Sequence, residues 1–276
     1  MRLSEESIKY ILDLQKKMLP LIYCCCCSCE RLNTLSKAIA YYNGKVVYKL
    51  DANNSNLNQI CTLLIFLDEI DIDNILDIEK KLIVSNKKKV VLLEANGINS
   101  LIHKRNLAIS LINRYNINVI KGSKEEIDSL IKFQYDKEDS KGSTFKYRYF
   151  SKKNDSIIII KDSNYYITDG YSEFQIRNIN SNFLDKDYLE NIYTAMIANS
   201  IGVCNNKCEI IQAILISSMA FCIAEENTLK LIQDEDFYCE KKENIEMLNQ
   251  EILNSIYKID VDNIKAYGDI DYCFKR

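Results

Sequence analysis

Apolar positions along the 276-residue chain recur in two periods, and the period changes repeatedly from one segment to the next. Ile8, Ile11, Leu12 and Leu14 share one face of a helix over Ser4 to Met18, with Ser4 placed to cap it and Glu6 in its first turn. After Pro20, the run Leu21 to Cys27 has the length of a strand. Glu30 to Asn43 returns to helical spacing and stops at Gly44, where a C-cap glycine would stand. Val46 to Tyr48 and Thr62 to Leu67 read as strands, Leu76 to Ile83 as a helix, and Val90 to Leu93 as a strand again. A helix from about Asn99 to Tyr115 leads to a strand at Asn118 to Ile120, and Ser123 with Glu126 has the spacing of a capping box. Polar Tyr135 to Thr144 reads as a loop. Ile157 to Ile160 is a buried strand, and Asp169-Gly170 between Tyr165–Thr168 and Tyr171–Ile176 predicts a β-hairpin with a two-residue turn. Asp187 to Val203, Glu209 to Asn227 and Asn244 to Ile256 are helical.

Strands separated by helices imply βαβ units, hence an α/β fold with a mainly parallel central sheet covered by helices on both faces. The hairpin falls near the middle of the chain. No linker divides the sequence, so residues 1–276 are expected to form a single domain. The longest apolar run, Ile210 to Ala224, is broken by Gln212, Ser217 and Ser218 and predicts a buried helix rather than a membrane span.

Composition narrows the function more than the fold. Hydrophobic residues make up 47 % of the chain, enough for a large core, which excludes disorder. The formal net charge of −3, from 36 basic and 39 acidic residues, gives no footprint for nucleic acid or anionic membrane. The N-terminal residues lack the basic start and apolar core of a signal peptide, so a cytoplasmic location with reduced cysteines is expected. There are only 7 glycines and one proline, against about 19 and 14 for an average chain of this length. Phosphate-cradling loops depend on glycine, so this scarcity counts against an intact nucleotide site.

Several segments, in order, resemble the hydroxyethylthiazole kinases of thiamine biosynthesis, members of the ribokinase-like superfamily. Asn118-Val119-Ile120-Lys121-Gly122-Ser123-Lys124-Glu125-Glu126-Ile127 resembles the family's strand and R-G-N-x-x-E-I turn. Val91 to Gly97 resembles its V-L-D-P-V-G, and Ile157 to Gly170 its strand, T-G-x-x-D and D-Y-V-x-D-G hairpin. Pro20-Leu21-Ile22 stands where the family has P-L-V-H-N-I-T-N, and Ile223-Ala224-Glu225-Glu226 ends a helix like its A-x-A-x-A-G-E-x-A. The resemblance covers nearly the whole chain. It implies a ribokinase-like fold, ATP and Mg as cofactors, a thiazole alcohol as substrate, and a homotrimer. The family reaction moves the ATP γ-phosphate to the hydroxyethyl group of 4-methyl-5-hydroxyethylthiazole.

By the same resemblance, Lys121, Lys161 and Ser123 stand at ATP-contacting positions, Glu126 and Glu94 at magnesium-associated ones, and Lys49 and Tyr188 near substrate contacts. Each position also has a structural reading: the two lysines as solvated strand ends, and Glu126 closing a capping box with Ser123. The family's G-T-G-C loop cradles the transferring phosphate at a helix N-terminus, and its cysteine is the proposed base. Counted from the hairpin without gaps, that loop falls at Tyr188-Leu189-Glu190-Asn191, where none of its residues is kept. Asn191 cannot take a proton as a thiolate could, and Glu190 would set negative charge beside phosphate. No catalytic residue of the family is therefore retained.

Two further features stand outside this pattern. Cys24 to Cys27 with Cys29 forms a run without a nearby second pair of the kind that tetrahedral zinc uses. Packing residues, soft-metal or redox chemistry, and a thiol nucleophile all remain readings of it. His103, the one histidine, lies on a predicted helix without a neighbouring nucleophile and reads as solvated or capping. Three functions compete: a thiazole kinase weakened or inactive, a non-catalytic binding or regulatory descendant, and a cysteine-based metal or redox protein.

Overall fold

The computed structural model describes residues 3–25, 28–48, 59–70, 89–135, 144–177, 185–234, 242–267 and 270–274. They gather into two compact units interleaved along the sequence. One comprises Met1–Pro20, Cys29–Val46 and Ile176–Asp269; the other comprises Leu21–Ser28, Val47–Gln175 and Ile270–Arg276.

The second unit carries the sheet. Its strands are β1 (Leu21–Cys25), β3 (Ile60–Phe66), β4 (Val90–Glu94), β5 (Val119–Ser123), β6 (Ile157–Lys161), β7 (Asn164–Thr168) and β9 (Ile270–Phe274). β2 (Lys45–Val47) and β8 (Glu173–Arg177) lie where the chain passes between units, and the order is β2-β1-β3-β4-β5-β6-β7-β8-β9. Pairings from β1 through β6 are parallel, and β6 with β7 is antiparallel. Every residue of Ile157–Ile160 is buried, which is why this strand is a continuous apolar run. Leu63, Ile65, Leu93, Ile120, Ile158 and Ile160 pack with Ala108 and Leu111 of α3 (Ile102–Arg114), Ile127 and Leu130 of α4 (Lys124–Tyr135), and Phe150 of α5 (Phe145–Asn154). At 25 cal/mol per Å², such side chains each contribute about 1.5–3 kcal/mol when fully buried.

The hairpin is present, with a longer turn than Asp-Gly alone predicts. β7 ends at Thr168 and β8 begins at Glu173, leaving four connecting residues. Asp169 Oδ1 accepts from the backbone N–H of Tyr171 (2.9 Å) and Ser172 (2.7 Å), and Thr168 Oγ1 accepts from Gly170 N (3.0 Å). The aspartate therefore builds a side-chain turn of its own. Gly170 has φ +87°, and a Cβ there would stand 2.7 Å from Lys152 N.

The other unit contains α1 (Glu5–Lys17), α2 (Cys29–Tyr41), α6 (Lys186–Ile201), α7 (Lys207–Asp234), α8 (Lys242–Lys258) and α9 (Val261–Tyr267). Ser4 caps α1 as expected, accepting from Ser7 N at 3.1 Å. At the end of α2 the left-handed residue is Asn43, with φ 60°, rather than Gly44. Glycine is needed at 44 for another reason: a Cβ would lie 2.1 Å from Asn199 Oδ1 of α6. α6 is buried on nearly every face and packs against α2 and α7, joined by Tyr193 Oη with Ser218 Oγ at 2.7 Å. The run Ile210 to Ala224 lies inside α7, as predicted. Among the described residues α7 is the one helix long and apolar enough to cross a membrane by length and composition, and 78 % of its most apolar stretch is buried within the fold.

Sequence periodicity missed α5, α9 and β9. The predicted helix at Leu76–Ile83 lies outside the described residues.

Candidate functional site

In open α/β sheets, ligands bind outside the carboxyl ends of the parallel strands. Here the strand register brings five of the sequence-selected residues to that rim. Glu94 pairs with Lys121 across β4 and β5, and Ser123 pairs with Lys161 across β5 and β6. Glu126 follows one turn into α4.

The Lys121 side chain turns inward. Its Nζ lies 2.5 Å from Glu94 Oε1, with the two side chains 2 % and 3 % exposed. Removing two charges from water costs several kcal/mol each, which their attraction and hydrogen bond offset only while both are present. This is the geometry of a structural ion pair.

Glu126 is also engaged on both oxygens. Oε2 accepts from Ser123 N at 2.8 Å and Oε1 from Gly97 N at 2.9 Å, while Ser123 Oγ accepts from Glu126 N at 3.3 Å. The capping box is thus real and reaches further, holding the loop after β4 to the start of α4. Gly97 takes φ +79° in that loop. Lys104, which no sequence motif singles out, is buried and donates from Nζ to the carbonyls of Asp68 (3.2 Å) and Ile70. Ser28 N donates to Glu69 Oε2 at 2.8 Å. Charged side chains at this rim stitch neighbouring loops together. Lys161 is half-buried, and Lys49 lies outside the described residues.

Tyr188 and Asn191 belong to the helical unit, where both are half-buried on α6. Asp185 is the N-cap: its Oδ1 accepts from Asp187 N at 2.9 Å and Tyr188 N at 3.2 Å, and its carbonyl accepts from Leu189 N at 3.0 Å. The N–H groups of Asp187 and Tyr188 are two of the first-turn donors that a helix would otherwise offer an anion. A carboxylate of the chain itself fills the position, and Asp187 adds a second acidic residue in the same turn. Asp185 lies three residues before the segment singled out in the sequence; its N-cap character was the available signal.

His103 is exposed on α3. Cys24 is buried, Cys25 half-buried and Cys29 exposed, and Cys26 and Cys27 lie outside the described residues. Among the described residues, no three His, Cys, Asp or Glu side chains gather as metal ligands would.

No protein-family model and no curated protein matches the chain. Solved structures do. It is similar to a hydroxyethylthiazole kinase from Pyrococcus horikoshii OT3, with a TM-score of 0.74 and 16 % identity over 96 % of this chain and 98 % of that one. It is similar also to a ribokinase-like superfamily protein of Enterococcus faecalis V583 (TM-score 0.58, 10 % identity, covering 92 % and 95 %). A pyridoxal kinase of Staphylococcus aureus, solved in complex with pyridoxal, matches with TM-score 0.55 and 10 % identity over 76 % and 89 %. Hydroxyethylthiazole kinase, the resemblance read from the motifs, is thus among the structures sharing this arrangement. Likeness at such identities establishes the fold alone: the chain has a ribokinase-like α/β fold, with a mainly parallel sheet continued by the hairpin after β6.

Proposed function

We propose that the chain is a hydroxyethylthiazole kinase-like protein in which transfer of the ATP γ-phosphate to the thiazole alcohol is weakened or lost, leaving a binding or regulatory role. The observation that carries this reading is the α6 N-terminus, where Asp185 takes the first-turn N–H groups for its own carboxylate. Phosphoryl transfer depends almost wholly on positioned donors and positive charge. A phosphate at this terminus would have to displace Asp185 and sit beside Asp187.

The residues present do not fit the magnesium and ATP that the resemblance implies. Lys121 is neutralised by Glu94, and Glu126 spends both oxygens on backbone N–H groups. Lys161 at the rim is a half-buried cation, without the fork geometry of arginine. Asn191 supplies no base. Losing a single oxyanion-type donor costs about 10²–10³ in rate, and here several are replaced together.

Incubation with radiolabelled ATP, magnesium and 4-methyl-5-(2-hydroxyethyl)thiazole tests the reading. The expected result is labelled thiazole phosphate at or near the level of the no-protein control. A rate typical of kinases, about 1–100 s⁻¹, that scales with protein concentration would overturn it. The homotrimer implied by the resemblance is part of the proposal, and light scattering on the purified chain measures it directly.

A further inference from the structure

The helical unit contains a cavity of about 280 Å³ that the kinase reading does not use. It is bounded by α1, the turn after α2, the middle of α7 and the end of α8. At about 30 Å³ per water it would hold about nine waters, the size of a single substituted ring. Leu12, Ile216, Ala220, Ile256 and Ile259 give it apolar walls. Tyr41 and the exposed Tyr257 meet edge to face at its rim, with centroids 6.5 Å apart and planes at 79°.

Its polar lining is specific. Ser200 Oγ, in the last turn of α6, donates to Met196 O (2.7 Å) and accepts from both Gln15 Nε2 (2.6 Å) and Ser217 Oγ (2.7 Å). Gln15 and Ser217 line the cavity; Ser217 has given its one proton to Ser200, and Gln15 one of its two amide protons. What they can offer a ligand is mostly acceptors, the Gln15 carbonyl oxygen and the Ser217 lone pairs, beside the second Gln15 N–H. Tyr42 contributes a ring, and burial holds its phenol in the neutral form by raising its pKa. Among the described residues, no acidic side chain lines the cavity and Lys16 is its single charge. A cation entering would lose hydration without a counter-charge.

The Ser200 hydroxyl that anchors this polar lining lies at the opposite end of α6 from Asp185. Fifteen residues separate Asp185 from Ser200, about 22 Å along a helix.

We propose that this cavity is a binding site for a compact ring compound, uncharged or singly anionic, that donates an O–H or N–H to Gln15 and Ser217. The proposal does not rest on the kinase reading and stands whether or not the chain transfers phosphate.

Titration with 4-hydroxybenzyl alcohol, 4-hydroxybenzoate and benzylammonium tests it, read by saturation-transfer NMR and by shifts of labelled isoleucine methyls. The alcohol is expected to bind with Kd of about 1 mM or tighter, and benzylammonium at least about tenfold more weakly. Shifts are expected at Ile216, Ile256 and Ile259, while Ile158 and Ile160 of β6 stay fixed. Ala220→Leu, which fills the cavity, should weaken the alcohol about tenfold or more, and Ser217→Ala about threefold. The methyl shifts locate the site in the unmodified protein even if Ala220→Leu fails to fold. The proposal is overturned if the alcohol does not bind at about 5 mM, or if the cation binds as tightly. Shifts confined to β6, or unchanged affinity in folded Ala220→Leu, overturn it equally.

Discussion

Replacing Lys121 by methionine separates a structural lysine from a nucleotide-contacting one. The substitution keeps the length and apolar stem and removes the charge. In the folded protein, Lys121 Nζ is 2.5 Å from Glu94 Oε1, with both side chains at most 3 % exposed. At an effective dielectric of about 20, a pair at that distance attracts by about 7 kcal/mol, set against several kcal/mol of desolvation for each ion. The net worth of the intact pair is therefore small, while breaking it is expensive. Lys121→Met leaves a buried carboxylate without its nearest counter-charge and is expected to cost about 3–5 kcal/mol. Glu94→Gln alone should cost less, because lysine has a longer and more adaptable stem. The double variant Glu94→Gln/Lys121→Met should recover much of the loss. Urea unfolding of the four proteins, with m values compared for two-state behaviour, gives the coupling energy. If Lys121→Met lies within about 1 kcal/mol of the parent, the ion pair is not structural and the reasoning fails.

Gly170→Ala should destabilise by about 2–4 kcal/mol, since φ is +87° and the new Cβ would meet Lys152 N at 2.7 Å; thermal unfolding reads this, and an unchanged midpoint would contradict it. Asp185→Ala removes the α6 cap and should cost about 1 kcal/mol, lowering Tm by about 2–4 °C; a neutral outcome would mean the carboxylate does not hold that terminus. Stability should also fall at alkaline pH. Burial raises the folded pKa of Cys222 above 9.0, with Glu225 adding to it, and burial raises that of Tyr42 above 10.0. Each group keeps its proton when folded and releases it when unfolded. Their contribution is complete below the unfolded pKa and is lost as pH rises above it, at about 1.4 kcal/mol per pH unit per group. Unfolding in reducing buffer from pH 8 to 11 should show the decline, and Tyr42→Phe should remove its share above pH 10; a flat profile would refute the assignment.

The parallel strands were readable because Ile157–Ile160 and Val90–Leu93 are apolar at every position, as strands buried on both faces must be. The ends were harder. In α5 only Tyr147, Phe150 and Ser151 are buried, so Phe145–Asn154 shows too thin an apolar stripe to announce a helix. It stops at Asp155 in the left-handed region, φ 50°, without the glycine that marks such a stop. Asp169-Gly170 marks the hairpin in the sequence, but its length depends on Asp169 capping two backbone N–H groups, which residue identity alone does not fix. A glycine at 44 suggests a helix cap, whereas its smallness serves Asn199, 155 positions away in sequence. The Ser123–Glu126 box was legible because it is local; the reach of Glu126 to Gly97 and of Lys121 to Glu94 crosses between strands and was not.

That difference bears on what a resembling motif can carry. Lys121 matches the family's arginine position in charge, and the sequence leaves it facing either solvent or phosphate. The fold gives it neither, because Glu94 on the adjacent strand offers a nearer, buried partner. An arginine there would be harder to satisfy with one carboxylate, since its five donors demand several acceptors when buried. Lysine, a point charge on a flexible stem, can be turned inward and matched by one glutamate. The same logic applies at α6, where an acidic cap satisfies N–H groups that glycine would leave open to an external anion. On the proposed kinase-like reading, both arrangements fill, with the chain's own side chains, positions that a phosphate-transferring site must keep available.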